Sequence, residues 1–140
     1  LKELETFVTL VYARFDLQSR RIAYVDCGHM PSIQYHFDSN SCTLLKGNNR
    51  PVGLPEDGFK TISKDFRPGD LFIFYSDGLT EAKNNEKEMF GEDRLLDFIQ
   101  ANAQKPPQKI VEKLWNNIVR FSESDIFDDD ITCVIVKIKD

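Results

Sequence analysis

The chain contains 140 residues, of which 41% are hydrophobic and 29% charged, and it carries a net charge of −5 at pH 7. A chain of this length can bury a core without disulfides or structural zinc, so we expect one domain over residues 1–140. The acidic balance argues against a nucleic-acid-binding surface and against contact with an anionic membrane. No apolar stretch approaches the roughly 20 residues that a membrane-spanning helix requires.

The three cysteines, Cys27, Cys42 and Cys133, are widely spaced and form no C-x-x-C pair. Each lies in a strand-like segment, and this odd number favours free thiols over disulfides or a metal site. We therefore expect buried free thiols in a reducing, cytoplasmic compartment. No signal peptide is recognisable, and Leu1 lies only a few residues before the first predicted strand. This start suggests a piece of a longer protein.

The first half of the chain predicts an antiparallel meander. Short apolar runs bounded by turn residues predict strands at residues 7–15, 21–27, 32–37, 42–46, 59–63 and 71–75. The first two form one predicted hairpin, and the next two form another around residues 38–41. Both faces of the first run are largely apolar, which indicates an interior strand. Residues 47–58, which hold three Gly, two Pro and two Asn, predict a loop.

Helices are predicted only late in the chain, over residues 93–103 and 107–121. The second helix carries two adjacent apolar ridges, wide enough together to lie on a sheet. These ridges are Ile110/Leu114/Ile118/Phe121 and Val111/Trp115/Val119. An acidic loop over residues 122–130 leads to a last strand over residues 131–138. Strands, then helices, then one strand predict an α+β fold with helices packed on antiparallel sheet.

The apolar run at residues 71–75 continues directly into Ser76, Asp77 and Gly78. Five consecutive apolar residues between turn signals predict a strand buried on both faces. An ionised carboxylate at the end of such a strand is normally paired, hydrogen-bonded or bound to a metal. The alternative is a structural aspartate that caps a helix or belongs to a turn.

Three consecutive carboxylates, Asp128, Asp129 and Asp130, precede the last predicted strand. They are either a solvated acidic loop or part of a site for Mg²⁺ or Mn²⁺, which prefer oxygen ligands. Neighbouring side chains of an extended segment point to opposite faces, so only one of Asp129 and Asp130 can share a site with Asp77. We predict that Asp77 and Asp129 meet in space and bind metal.

His29, between Gly28 and Met30, is a candidate metal ligand or general acid. It could equally cap a strand end or bind a backbone carbonyl. A zinc triad is not indicated, because His36, the other histidine, falls inside a strand-like segment. The sequence contains no G-x-S-x-G, Walker or G-x-G-x-x-G motif, so neither a nucleophile nor a phosphate-binding loop is recognisable.

Seven short motifs in order resemble the C-terminal two-thirds of the SpoIIE/RsbU-type metal-dependent protein serine/threonine phosphatases (PPM superfamily). They are F-V-T at 7–9, Y-V-D-C-G-H-M-P at 24–31, P-V-G-L at 51–54, P-G-D at 68–70, Y-S-D-G-L-T-E-A at 75–82, F-G at 90–91 and D-D-I-T at 129–132. The resemblance implies a partial αββα sandwich, in which helices lie outside two antiparallel sheets.

The resemblance also implies an activity and a site. Two Mn²⁺ or Mg²⁺ ions would activate a water that hydrolyses phosphoserine or phosphothreonine on a regulatory protein. Asp77 and Asp129 match the family's metal ligands, Asp130 would point away, and His29 falls in a segment that the family places near the site. The substrate implied is a phosphorylated anti-sigma-factor antagonist of bacterial partner switching, under the control of an upstream sensor or receiver domain.

The chain departs from the family pattern at two points. Asp26-Cys27 replaces Asn-Ala and Met30 replaces Asn, which would alter the rim of the site without removing a ligand. The family's G-D-V-x-G-x-G segment, which supplies the bridging aspartate, matches nothing in residues 1–6. We therefore expect weak metal binding, an inactive fragment, and exposed sheet edges or apolar surface through which it self-associates. The alternatives are a non-catalytic phosphoprotein-binding or regulatory module and a plain β-rich interaction domain.

Overall fold

The computed structural model describes residues 6–140. These residues form strands β1 (Leu10–Asp16), β2 (Arg21–Cys27), β3 (Ser32–His36), β4 (Ser41–Leu45), β5 (Ile62–Asp65), β6 (Leu71–Tyr75) and β7 (Cys133–Lys137), and helices α1 (Asp77–Thr80), α2 (Gly91–Asn102) and α3 (Pro107–Ser122). The α+β class and the order of strands, helices and a final strand are confirmed. No helix among the described residues is long and apolar enough to cross a membrane.

The chain divides into two compact units. The first unit comprises the described residues up to Pro31 together with Leu44–Arg67, and the second comprises Ser32–Thr43 together with Pro68–Asp140. The first contains an antiparallel sheet of order β1-β2-β5, and the second contains β3, β6, β7 and residues 41–43 of β4 from an antiparallel sheet of order β4-β3-β6-β7. That residues 1–140 make one domain stays a prediction.

The predicted hairpin of β1 and β2 is confirmed, with Leu10 opposite Cys27 and Asp16 opposite Arg21. Its turn is closed by Asp16, whose Oδ1 accepts the backbone N–H groups of Gln18 and Ser19, each at 3.0 Å. These bonds, the one from Ser19 foremost, hold the pKa of Asp16 below its ordinary value. A carboxylate that accepts backbone N–H groups in this way fixes the turn locally.

Two predictions about the first unit are wrong. Among the described strands β1 lies at a sheet edge, and its outward residues Leu10 and Tyr12 are 47% and 59% exposed. Apolar residues on both faces of a strand indicate what it can bury, but they do not reveal on which side it pairs. The strand predicted at residues 59–63 starts only at Ile62, because the side chain of Asn49 binds both the N–H and the C=O of Lys60, at 2.7 and 2.9 Å.

In the second unit β6 lies between β3 and β7. Ile73 stands opposite Ile33 of β3 and Ile135 of β7. Four of the five side chains of β6 are buried and Phe74 is half-buried. The prediction of a strand buried on both faces at residues 71–75 is confirmed.

Helix α3 buries one of its two predicted ridges, through Ile110, Leu114 and Ile118. The second ridge is only partly covered: Val111 and Trp115 are 38% and 43% exposed, Val119 is half-buried, and the Trp115 ring packs edge-on against that of Phe127 at 5.6 Å. This exposed apolar surface agrees with the expectation drawn from the resemblance. A stripe of apolar residues shows which surface a helix can bury, and the available partner decides how much of it is covered.

The side chain of Lys137 connects the last strand, β7, to the end of α2. The ammonium of Lys137 in β7 lies 3.2, 3.4 and 3.3 Å from the carbonyl oxygens of Ala103, Gln104 and Lys105. These carbonyls follow the C-terminal end of α2, where the helix dipole favours positive charge. Lys137 therefore links the sheet of the second unit to its helical layer.

Candidate metal centre

The end of β6 and the start of β7 meet at Ser76. Tyr75 and Cys133 form the last residue pair of the two strands. Beyond this pair, the N–H of Ser76 donates to the carbonyl of Thr132 at 3.0 Å. Its hydroxyl donates to the carbonyl of Asp130 at 3.0 Å and accepts the N–H of Thr132 at 2.9 Å. One serine thus fixes the backbone of residues 130–132 against the end of β6.

Helix α1 begins at Asp77, immediately after Ser76 in the N-cap position. Gly78 lies so close to the acidic segment that an added Cβ would stand 2.3 Å from the carbonyl oxygen of Asp130 and 3.3 Å from that of Asp129. Only glycine permits this approach. The residues that flank Asp77 are therefore in direct contact with the segment that carries Asp129.

Asp77 and Asp129 are both exposed, and each uses one carboxylate oxygen locally. Oδ1 of Asp77 accepts the N–H of Gly78 at 3.0 Å, and Oδ1 of Asp129 accepts the N–H of Asp130 at 2.8 Å. Within residues 6–140 no group hydrogen-bonds to either Oδ2. Asp77 is the first residue of α1 but does not cap it, because the N-cap position belongs to Ser76 and no side chain makes a capping bond there. That the pair binds metal stays a prediction.

The carboxylates of Asp77 and Asp129 are the type of ligand that a hard divalent cation prefers. Carboxylate oxygens are the ligands that Mg²⁺ and Mn²⁺ prefer, and these ions keep several waters when the protein supplies few ligands. Over residues 6–140 no three His, Cys, Asp or Glu side chains are grouped so as to hold a metal ion. Asp77 and Asp129 therefore fit as two members of a larger ligand set.

A cavity of about 210 Å³ opens beside this acidic segment. It is lined by Gly78, Glu81, Ala82, Lys83, Ile126, Phe127, Asp128 and Asp129. The lining residues comprise three acidic residues, one lysine, Gly78 and apolar residues, of which Ile126 is 83% exposed. The cavity can admit a polar group next to Asp129.

His29 belongs to the first unit, whereas Asp77 and Asp129 belong to the second. Its backbone N–H donates to Oδ1 of Asp26 at 2.8 Å. Its ring Nδ1 lies 3.1 Å from the carbonyl oxygen of Met30, which can only accept, so Nδ1 is the donor in this hydrogen bond. The catalytic role of His29 stays a prediction.

Asp26 has a structural function that the sequence did not reveal. It is 2% exposed, and its second oxygen accepts the N–H of Gly47 at 3.1 Å. A carboxylate can accept on both oxygens, so this one residue fixes the start of the His29 segment and the start of the loop after β4. Its position next to a strand end, ahead of Gly28 and His29, was the available signal.

The three cysteines are free thiols within strands, as predicted. Only Cys27 is fully buried, whereas Cys42 and Cys133 are half-buried. Burial raises the pKa of Cys42 and Cys133 to about 11 and also raises that of Cys27. At neutral pH the three thiols are therefore protonated and weakly reactive.

Comparison with known proteins gives one family and one fold. The family described as Stage II sporulation protein E (SpoIIE) matches residues 2–139. "Phosphoserine phosphatase RsbU" of Bacillus subtilis is 22% identical over 134 residues, which are 95% of this chain and 39% of that protein.

Two solved structures share the fold of this chain. The SiaA-PP2C domain of Pseudomonas aeruginosa matches with a TM-score of 0.81 and 22% identity, over 94% of this chain and 52% of that one. The phosphatase domain of SpoIIE from Bacillus subtilis, "Mn presoaked", matches with a TM-score of 0.72 and 23% identity, over 94% of this chain and 56% of that one. The partial PPM fold is thereby confirmed.

Proposed function

Because the chain belongs to the SpoIIE family, we propose that it forms part of a cytoplasmic, metal-dependent protein serine/threonine phosphatase. The observation that carries this proposal is the contact of residues 76–78 with residues 129–132, which brings the segments of two exposed carboxylates together. The name of RsbU as a phosphoserine phosphatase and the manganese treatment of the SpoIIE domain support the reaction and the metal.

Asp77 and Asp129 are the residues that would bind Mn²⁺ or Mg²⁺. Bound ions would supply Lewis-acid activation of water and would neutralise charge on the phosphoryl oxygens. Ser76 and Gly78 would maintain the geometry, because they fix the backbone of residues 130–132 relative to the start of α1. His29 would transfer a proton through Nε2, since Nδ1 is already engaged by the carbonyl of Met30.

The substrate that we propose is a phosphorylated regulatory protein of the anti-sigma-factor antagonist type. An upstream sensor or receiver domain would control the activity. The chain spans 39% of the length of RsbU and about half of each solved domain that it matches. The remaining ligands of the metal pair would therefore come from residues outside 6–140.

Hydrolysis of p-nitrophenyl phosphate by the full-length gene product, with Mn²⁺ and then with a chelator, tests this function. Turnover should require the metal and should be lost in Asp77→Asn and Asp129→Asn, while Asp57→Asn, a change in an exposed loop of the first unit, should leave it intact. Calorimetric titration with Mn²⁺ should show weaker binding in the first two variants only. Unchanged turnover and unchanged Mn²⁺ affinity in Asp77→Asn would refute the assignment.

The 140-residue chain by itself should not turn over this substrate, because its described residues provide no group of three ligands. Metal-dependent turnover by the chain alone would show that two carboxylates suffice. The same shortage of ligands favours one alternative, a non-catalytic module that binds or regulates a phosphoprotein. Phosphoprotein binding by the full-length gene product, without metal-dependent turnover, would support that alternative.

A further inference from the structure

The residues that line the cavity beside Asp129 include one that carries a positive charge, Lys83. Three carboxylates, those of Glu81, Asp128 and Asp129, line the same cavity, yet Lys83 forms no ion pair with any residue that the structure describes. An unpaired ammonium at a cavity wall is available to an anionic ligand.

The backbone at Lys83 is fixed by a short hairpin. Lys83 pairs with Met89 in an antiparallel bridge, and the N–H of Phe90 donates to the carbonyl of Ala82 at 2.7 Å. Within the turn, Oδ1 of Asn84 accepts the N–H groups of residues 86 and 88 at 3.0 and 2.9 Å. Buried Ala82 and Phe90 form the base of this hairpin, so Lys83 projects from an anchored position.

The hairpin is in turn anchored to the helices of the second unit. Arg94 in α2 donates to the carbonyl of Met89 at 2.8 Å, and its guanidinium lies 4.7 Å from the centre of the Phe121 ring in α3. The side chain of Asn85 donates to the carboxylate of Glu123, just after α3. Functional residues are commonly carried on loops that a rigid scaffold positions in this way.

We propose that Lys83 binds the phosphoryl group of the substrate, an inference that rests on the proposed function. Without Lys83 the charged groups of the cavity wall would all be negative and would repel a phosphate monoester. Metal at Asp129 would offset one of these charges, and Lys83 offsets another. A lysine suits this position, because its compact ammonium on a flexible four-carbon stem can follow the phosphoryl oxygens.

The kinetic test compares Lys83→Met, Lys83→Arg and a matched control, Lys87→Met, in the full-length gene product with Mn²⁺. Lys87 lies in the same hairpin but does not line the cavity, so its loss changes the net charge equally. Lys83→Met should raise KM roughly tenfold, for p-nitrophenyl phosphate as well as for a phosphoprotein, with kcat within about twofold of wild type. Lys83→Arg should restore most of the affinity, and Lys87→Met should match wild type.

Calorimetric titration with inorganic phosphate in the presence of Mn²⁺ gives a second, non-kinetic readout. Phosphate should bind wild type and Lys87→Met equally and Lys83→Met about tenfold more weakly. If wild type has no turnover but phosphate binding depends on Lys83, the proposed function fails and the phosphoryl contact stands. The inference is overturned if phosphate does not bind wild type, if Lys83→Met binds it as wild type does, or if KM changes for the phosphoprotein alone.

Discussion

Ser76→Ala should loosen the junction on which the candidate metal centre depends. The hydroxyl of Ser76 makes two hydrogen bonds, with the carbonyl of Asp130 and with the N–H of Thr132. It makes no capping bond to α1, so its removal acts on the contact between strands and not on the helix. Each net hydrogen bond contributes about 0.5–1.5 kcal/mol, and water can partly replace both bonds because Ser76 is only half-buried. We therefore expect a loss of about 1–2 kcal/mol in the free energy of unfolding.

Urea unfolding followed by the fluorescence of Trp115, the single tryptophan, measures this loss. Ser76→Thr is the matched control, since it keeps the hydroxyl in an extended backbone conformation that threonine adopts readily, and it should remain within about 0.5 kcal/mol of wild type. Amide hydrogen exchange provides the local readout. The N–H of Thr132 should exchange faster in Ser76→Ala than in wild type, because it has lost its acceptor.

Two results would refute this reasoning. One is equal stability of wild type, Ser76→Ala and Ser76→Thr, which would mean that water replaces the hydroxyl at no cost. The other is unchanged exchange at the N–H of Thr132 in Ser76→Ala, which would mean that the serine does not hold the start of β7. In the full-length gene product the same variant should lower Mn²⁺ affinity if residues 129–132 position a metal ligand.

Three further predictions concern the rest of the chain. Lys137→Met should lower the free energy of unfolding in urea by about 0.5–1.5 kcal/mol, because the carbonyls after α2 lose their cation, and equal stability would contradict this. The pKa of the Cys42 and Cys133 thiols rises from 9.0 in the unfolded chain to about 11 in the folded one, so the free energy of unfolding should fall as pH rises through that interval; it should fall less in a Cys42→Ala/Cys133→Ala variant, which keeps only the raised thiol pKa of Cys27, and an equal fall in both proteins would contradict this. The chain should self-associate in sedimentation experiments, less so when exposed Leu10 and Tyr12 are changed to Lys; a monomer at all concentrations would disprove this.

The strands and helices were predictable where local pattern and tertiary environment agree. The apolar run of β6 is continuous and bounded by turn residues, and the structure buries it between two strands. Helix α3 starts at Pro107 as predicted, since proline is favoured in the first turn of a helix. Strand β5 could not be located in this way, because the side chain of Asn49 binds the backbone of Lys60 from 11 residues away.

The sequence by itself determined the fold class and the order of the elements, and it predicted the two aspartates of the candidate metal centre. These features follow from short-range patterns and motifs, which are visible in the sequence itself. The tertiary structure alone showed that Ser76 forms hydrogen bonds with the backbone of Asp130 and Thr132, which are 54 and 56 positions away in the sequence, and that Gly78 lies against the carbonyl of Asp130. It also decided which apolar faces stay partly exposed, at β1 and at the second ridge of α3. Such contacts depend on which distant segment of the chain packs against a given surface. The local pattern of side chains shows only that a surface can be buried, and it does not identify the segment that buries it.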